Sequence, residues 1–307
     1  MIVRGAHGEQ TAGREPQSPS RRGAAPKPVI EQLGRRCALI LLVSMTLAAM
    51  MGLLAWGPIP LNAQVHRYAD QRSLLGMPGA ANVWVNLVMF AAGAWGWRAT
   101  RASRWPAQLR TPWQLFHLCA MLSALASGLY HSGTGDALFV LTHVFTAAGF
   151  MMLTLGMLAE RVHSRFGSLM ACVLVLSGIA MTGLVMLFGP SGQNGLDMRP
   201  LLLQEVIPVL VIPAGALSLP GRFTQAFDWV VVLTLYALAK LLESSDAFVL
   251  EISGWISGHT LVNLTLATAV GKMAYCAALA RSGVATAASP AESEDRTQRD
   301  TSLNTAG

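Results

Sequence analysis

Residues 113–159 read WQLFHLCAMLSALASGLYHSGTGDALFVLTHVFTAAGFMMLTLGMLA, two long apolar runs on either side of the short polar break SGTGD at 132–136. At about 1.5 Å of rise per residue, an apolar helix of about 20 residues crosses the hydrocarbon core of a bilayer. Both runs have that length. Working outward, comparable runs lie near 37–56, 82–98, 168–188, 201–219, 227–249 and 255–280, so the chain is expected to cross the membrane eight times. The run at 37–56 also resembles a signal peptide, with Ala63 following, but its polar leader is long and its length suits an uncleaved anchor.

Composition agrees with this reading. The 307 residues are 53% hydrophobic and 12% charged, with a mean hydropathy of +0.46, which is far too apolar for an ordinary soluble domain. The net charge of +6 does not point to nucleic acid, because the basic residues crowd the N-terminal tail and alternate loops and form no reader motif. Cys37, Cys119, Cys172 and Cys276 are scattered singly through apolar stretches and read as small buried side chains. Residues 1–36 and 281–307 are polar, lack apolar periodicity and are expected to be disordered tails. The layout is therefore an N-terminal tail (1–36), a first transmembrane helix (37–56), an external loop (57–81), a helical core (82–280) and a C-terminal tail.

Lys and Arg stay on the cytoplasmic side of short loops. Arg35 and Arg36 before the first span, Arg98, Arg101, Arg104 and Arg110 after the second, and Arg161 and Arg165 after the fourth are therefore expected inside. Both termini then face the cytoplasm. With this topology the polar residues of the spans collect near the outer face: Asn86, Ser127, His131, Asp136, His143, Glu205, Lys240, Glu243, Asp246, His259 and Asn263. An ionisable group deep in a bilayer costs roughly 2.5 to 3.5 kcal/mol on insertion scales, so a convergence of this kind calls for mutual pairing or a wet chamber. Singly, each has a plain reading. Ser127 and Asn86 can bond across helices, His131 can sit at headgroup level, and Lys240 and Glu243, three apart, can neutralise each other.

Several separated motifs, in order, resemble the alkaline ceramidases, especially their bacterial members. They are ADQRSLLGMPGAANVWVNL at 69–87, the pair Tyr130-His131, LDMRPLLLQ at 196–204, YALAKLLESSD at 236–246 and SGHTL at 257–261. The resemblance implies an all-α polytopic bundle, a seven-helix ceramidase-like core with one extra N-terminal transmembrane helix, in a bacterial inner membrane. It also implies a zinc hydrolase that splits the N-acyl amide of ceramide into a sphingoid base and a fatty acid. The family site has a Ser and a His four apart, an Asp eleven past that His, and two His four apart on the last helix. Ser127, His131 and His259 match, with His131 and His259 as zinc ligands and Ser127 steadying the oxyanion.

Two positions depart from the pattern. Thr142 stands where the family has Asp, and Asn263 where it has the last His. Thr is no base near neutral pH, and an amide oxygen is a weak zinc ligand beside imidazole. His143 could serve as third ligand or base, Asp136 could supply a carboxylate, and Asn263 could offer its oxygen to the metal. Asp70 stands where eukaryotic members carry an acidic calcium-binding stretch, but it is followed by Gln71 and Arg72, so no calcium is expected. Two functions follow: an intramembrane amide hydrolase acting on ceramide or another N-acyl lipid, or a degenerate member that binds lipid without catalysis. A transporter with Lys240, Glu243 and Asp246 as an ion path would need polar depth on both sides of the membrane.

Overall fold

The computed structural model describes residues 29–61, 66–73, 76–77, 79–133, 135–188 and 197–281. The regular structure of these residues is all-helical, without a strand, and Pro60 and Asp197 form an isolated bridge. The helices are α1 (Val29–Trp56), α2 (Ala80–Ala102), α3 (Ala107–Ser132), α4 (Asp136–Arg161), α5 (Leu169–Phe188), α6 (Arg199–Ser218), α7 (Ala226–Ser244), α8 (Asp246–Ser253) and α9 (Gly258–Arg281). A 3-10 turn, Ser164–Gly167, links α4 to α5.

Local chemistry sets the ends. Asp136 opens α4, placing a carboxylate against the positive end of the helix dipole, and His131 lies in the last turn of α3. Pro200 occupies the first turn of α6, where its missing N–H costs nothing. Gly254 closes α8 at φ 71°, a left-handed conformation that favours glycine.

Five helices, α1, α4, α5, α6 and α9, are long and apolar enough to cross a membrane. Large apolar side chains such as Ile40, Met51, Leu174 and Val185 lie exposed on α1 and α5, as lipid-facing side chains do. α2, α3 and α7 have comparable length but carry more polar side chains, including Asn82, Asn86, Gln114, His117, Lys240 and Glu243. α2 packs between α3 and α9, α4 lies against α3, α5 and α6, α7 lies against α9, and α1 covers α6. One apolar core joins Trp113, Met157, Trp229 and Met273, and a second joins Tyr130, Phe139, Val140 and Leu201.

A buried polar knot secures one end of the bundle. Arg161 is only 5% exposed and donates from Nη1 to the carbonyls of Ala216 and Leu219 and from Nη2 to Thr224. Glu160 accepts from the backbone N–H groups of Phe223 and Thr224 at 2.6 and 2.7 Å. Lys272 pairs with Asp228 at 2.6 Å.

Three expectations change. The first helix begins at Val29, so residues 29–36 belong to it, and Arg35 donates to the Val162 carbonyl at 2.6 Å. The run 227–249 is not one helix. It breaks at Ser245, because Asp246 turns to accept the backbone N–H groups of Ala69 and His259. The helices α2 and α3 also run further than 82–98 and 113–131, past the apolar segments into polar flanks. The remaining tail residues, 1–28 and 282–307, lie outside the described residues.

Candidate active-site chamber

α2, α3, α4, α6, α7 and α9 enclose a chamber of about 590 Å³. Its apolar wall includes Phe116, Phe150, Leu153, Val232, Leu266 and Met273. Ser127, His131, His143, Asn86, Lys240, Glu243, Asp246, His259 and Asn263 all line it too. Of the residues expected to act, only Asp136 does not.

The centre of the polar group is a pair of imidazoles from helices far apart in sequence. His131 Nε2 lies 3.1 Å from His259 Nε2. Gly258, just before His259, lets the start of α9 pack closely on the turn between α7 and α8, because a side chain there would run into the Leu242 carbonyl and the backbone of Asp246. Asp246 adds a second constraint. Its Oδ1 accepts the N–H of His259 at 2.7 Å and its Oδ2 that of Ala69 at 2.9 Å, so it staples the loop before α2 onto the start of α9. That staple holds Tyr68 over the pair, with ring centroids 4.6 Å from His131 and 4.4 Å from His259. Burial pushes the Tyr68 hydroxyl well above its ordinary pKa, so it remains protonated as a donor.

Ser127 is one helical turn from His131 on the same face of α3 and makes no hydrogen bond among the described residues, so its hydroxyl is available to the chamber. The substituted positions behave differently. Thr142 Oγ1 donates to the Leu138 carbonyl at 2.9 Å, and Asn263 Nδ2 donates to the His259 carbonyl at 3.2 Å. His143 is tied as well: its Nδ1 bonds the Phe139 carbonyl at 3.1 Å, which makes Nδ1 the protonated nitrogen. Asn86 donates to the Asn82 carbonyl at 2.7 Å, and Lys240 pairs with Glu243 at 2.7 Å.

Asp136 is employed outside the chamber. Its Oδ1 lies 2.8 Å from His66 Nε2, and His66 Nδ1 lies 2.6 Å from the Tyr130 hydroxyl. Its side chain is 65% exposed, so it does not supply the carboxylate missing at 142. Asp70 gives both oxygens to Arg72, at 2.8 and 2.7 Å, and Arg72 also reaches the Trp255 carbonyl at 2.7 Å. Arg72 beside it holds the Asp70 carboxyl below the usual carboxylate range.

Imidazole pairs suit zinc. Two nitrogens bound to one tetrahedral zinc at about 2.0–2.1 Å stand about 3.3 Å apart, close to the separation here. The fit extends to two ligands. Among the described residues no third His, Cys, Asp or Glu completes a metal-binding group.

Nothing in the sequence patterns drew attention to His66 or Tyr68 as site residues, since a loop has no periodicity. Glu205, which the topology places in the outer gathering of polar side chains, lines the chamber as well. Comparison with protein-family profiles, curated proteins and solved structures finds no match.

Proposed function

We propose that this chain is an integral membrane hydrolase of the alkaline ceramidase type, cleaving the N-acyl amide of a ceramide-like lipid to a long-chain amine and a fatty acid. The observation that supports it is the meeting of Ser127, His131 and His259, three positions that match the family pattern, inside one chamber with an apolar wall. In this reading the fold is a seven-helix core, α2–α7 and α9, with α1 added, in a bacterial inner membrane. Both termini are cytoplasmic, and the chamber lies near the outer face.

His131 and His259 would hold zinc, with Asn263 nearest in sequence to complete the set. Zinc bound there would polarise the acyl carbonyl and lower the pKa of a bound water to about 7. The chain's own residues position the lipid. Phe116, Phe150 and Met273 take an acyl chain, the unpaired Ser127 hydroxyl donates to the carbonyl oxygen as it gains charge, and Tyr68 shields the pair from bulk water.

A second reading, a lipid-binding protein without catalysis, is favoured by a specific observation: Thr142 and Asn263 both direct a polar atom back to their own helices. Zinc content of the purified full-length protein, measured beside fatty-acid release from long-chain ceramides, separates the two. Near-stoichiometric zinc, with turnover lost in His131→Ala, is the expected result. Absence of both, with both appearing in a Thr142→Asp plus Asn263→His variant, would establish the non-catalytic reading.

A further inference from the structure

The chamber has a second polar station, away from the histidine pair. Glu205 projects from α6, about two turns in from the helix start at Arg199, and lines the chamber. Its Oε1 is fully buried and has no hydrogen-bond partner among the described residues. Each charged neighbour is already engaged. Lys240 lies near enough to attract Glu205 but gives its ammonium to Glu243 at 2.7 Å, and His143 gives its Nδ1–H to the Phe139 carbonyl. Asp246, the third carboxylate of the wall, is satisfied by two backbone N–H groups. Among the carboxylates of the chamber wall, Glu205 is the one with a buried oxygen that no described residue reaches, its cationic neighbour Lys240 being hydrogen-bonded to Glu243 instead. A buried carboxylate in that state is costly, and a ligand that brings positive charge and N–H donors removes the cost.

We propose that Glu205 is the recognition site for a protonated amine at the head of a single long alkyl chain, with the chain held along the apolar wall of Phe150, Leu153 and Met273. The ligand class recognised at Glu205 is thus a cationic long-chain amine. An ammonium at Glu205 would meet the carboxylate on one side and the ring of Tyr236, another lining residue, within the same chamber. This rests on the chamber admitting a long-chain lipid, but not on hydrolysis.

Equilibrium binding of octadecylamine and octadecanol to the full-length protein in nanodiscs at neutral pH tests the assignment. The wild type should bind the amine about tenfold or more tightly than the alcohol, as expected for a charge-assisted hydrogen bond. Glu205→Gln should erase that preference and leave alcohol binding within about twofold. Should the variant fail to fold, the wild type still decides. Labelling of Glu205 by the lipophilic reagent dicyclohexylcarbodiimide, read by peptide mass spectrometry, should be blocked by octadecylamine and not by octadecanol. Equal affinity for the two ligands, an unchanged preference in Glu205→Gln, or labelling blocked by neither would overturn the proposal. Preference intact with no amide hydrolysis would sink only the hydrolase reading, and binding of neither ligand would sink both.

Discussion

Thr142 and Asn263 are the two residues on which the choice between the proposed hydrolase and a lipid-binding protein turns, since each bonds its own helix. A third imidazole at position 263 would sit one helical turn from His259 on the same face, so Asn263→His should raise zinc affinity about tenfold or more, read by competition with a chelating dye. Unchanged affinity would mean that the face of α9 past His259 does not reach the pair. Ser127→Ala should lower amide turnover about a hundredfold while leaving lipid binding intact, if its hydroxyl meets the developing oxyanion. Asp70 carries a pH dependence whose sign is definite. Its folded-state pKa is held down by Arg72, below an unfolded value of about 3.9. The stabilisation is therefore complete above that value and is lost as pH falls through the lower, folded value. The unfolding temperature of the wild type should drop on acidification below about pH 4, and Asp70→Asn should start lower at neutral pH and lose less.

At the scale of elements, the helices were legible where apolar length alone specified them. α4, α5, α6 and α9 fall close to the runs read from the sequence. The break at Ser245 was not legible, because its cause is a contact between Asp246 and residues distant in the chain, and hydropathy carries no record of such pairing. The same limit applies to Asp136: its carboxylate is claimed by His66, which comes from a loop without periodicity, and no local pattern encodes that contact. Two close packings should prove intolerant. Gly258→Ala should cost about 1–3 kcal/mol and disturb the His131–His259 spacing, checked by thermal unfolding in detergent together with metal binding. Arg161→Ala should cost about 3 kcal/mol, because it leaves the buried carbonyls of Ala216, Leu219 and Thr224 without their donor.

For the whole molecule, the sequence indicated an all-helical chain rich in membrane-grade segments and a gathering of polar residues at one level. The chamber realises that gathering, but it could not foretell which polar groups would face inward and which would spend themselves on their own helices. Side-chain direction at 142, 143 and 263 depends on helix rotation, which is set by packing against neighbours rather than by local composition. Orientation in the bilayer is testable directly. Ser132→Cys, exposed at the end of α3, should react with an impermeant thiol reagent added from outside intact cells, and protection there would reverse the topology.

The carboxylate of Asp246 fastens Ala69 and His259 at once, and Arg72 fastens the same loop to Trp255. Together they make Tyr68 a clamped roof over the imidazoles, so the traffic of ligands has a kinetic signature. If the chamber holds a long-chain lipid as proposed, a shut roof would slow its exchange, and loosening the clamp would open the imidazole end of the chamber to water. Asp246→Asn would then shorten the residence time of a bound lipid far more than it weakens its equilibrium affinity.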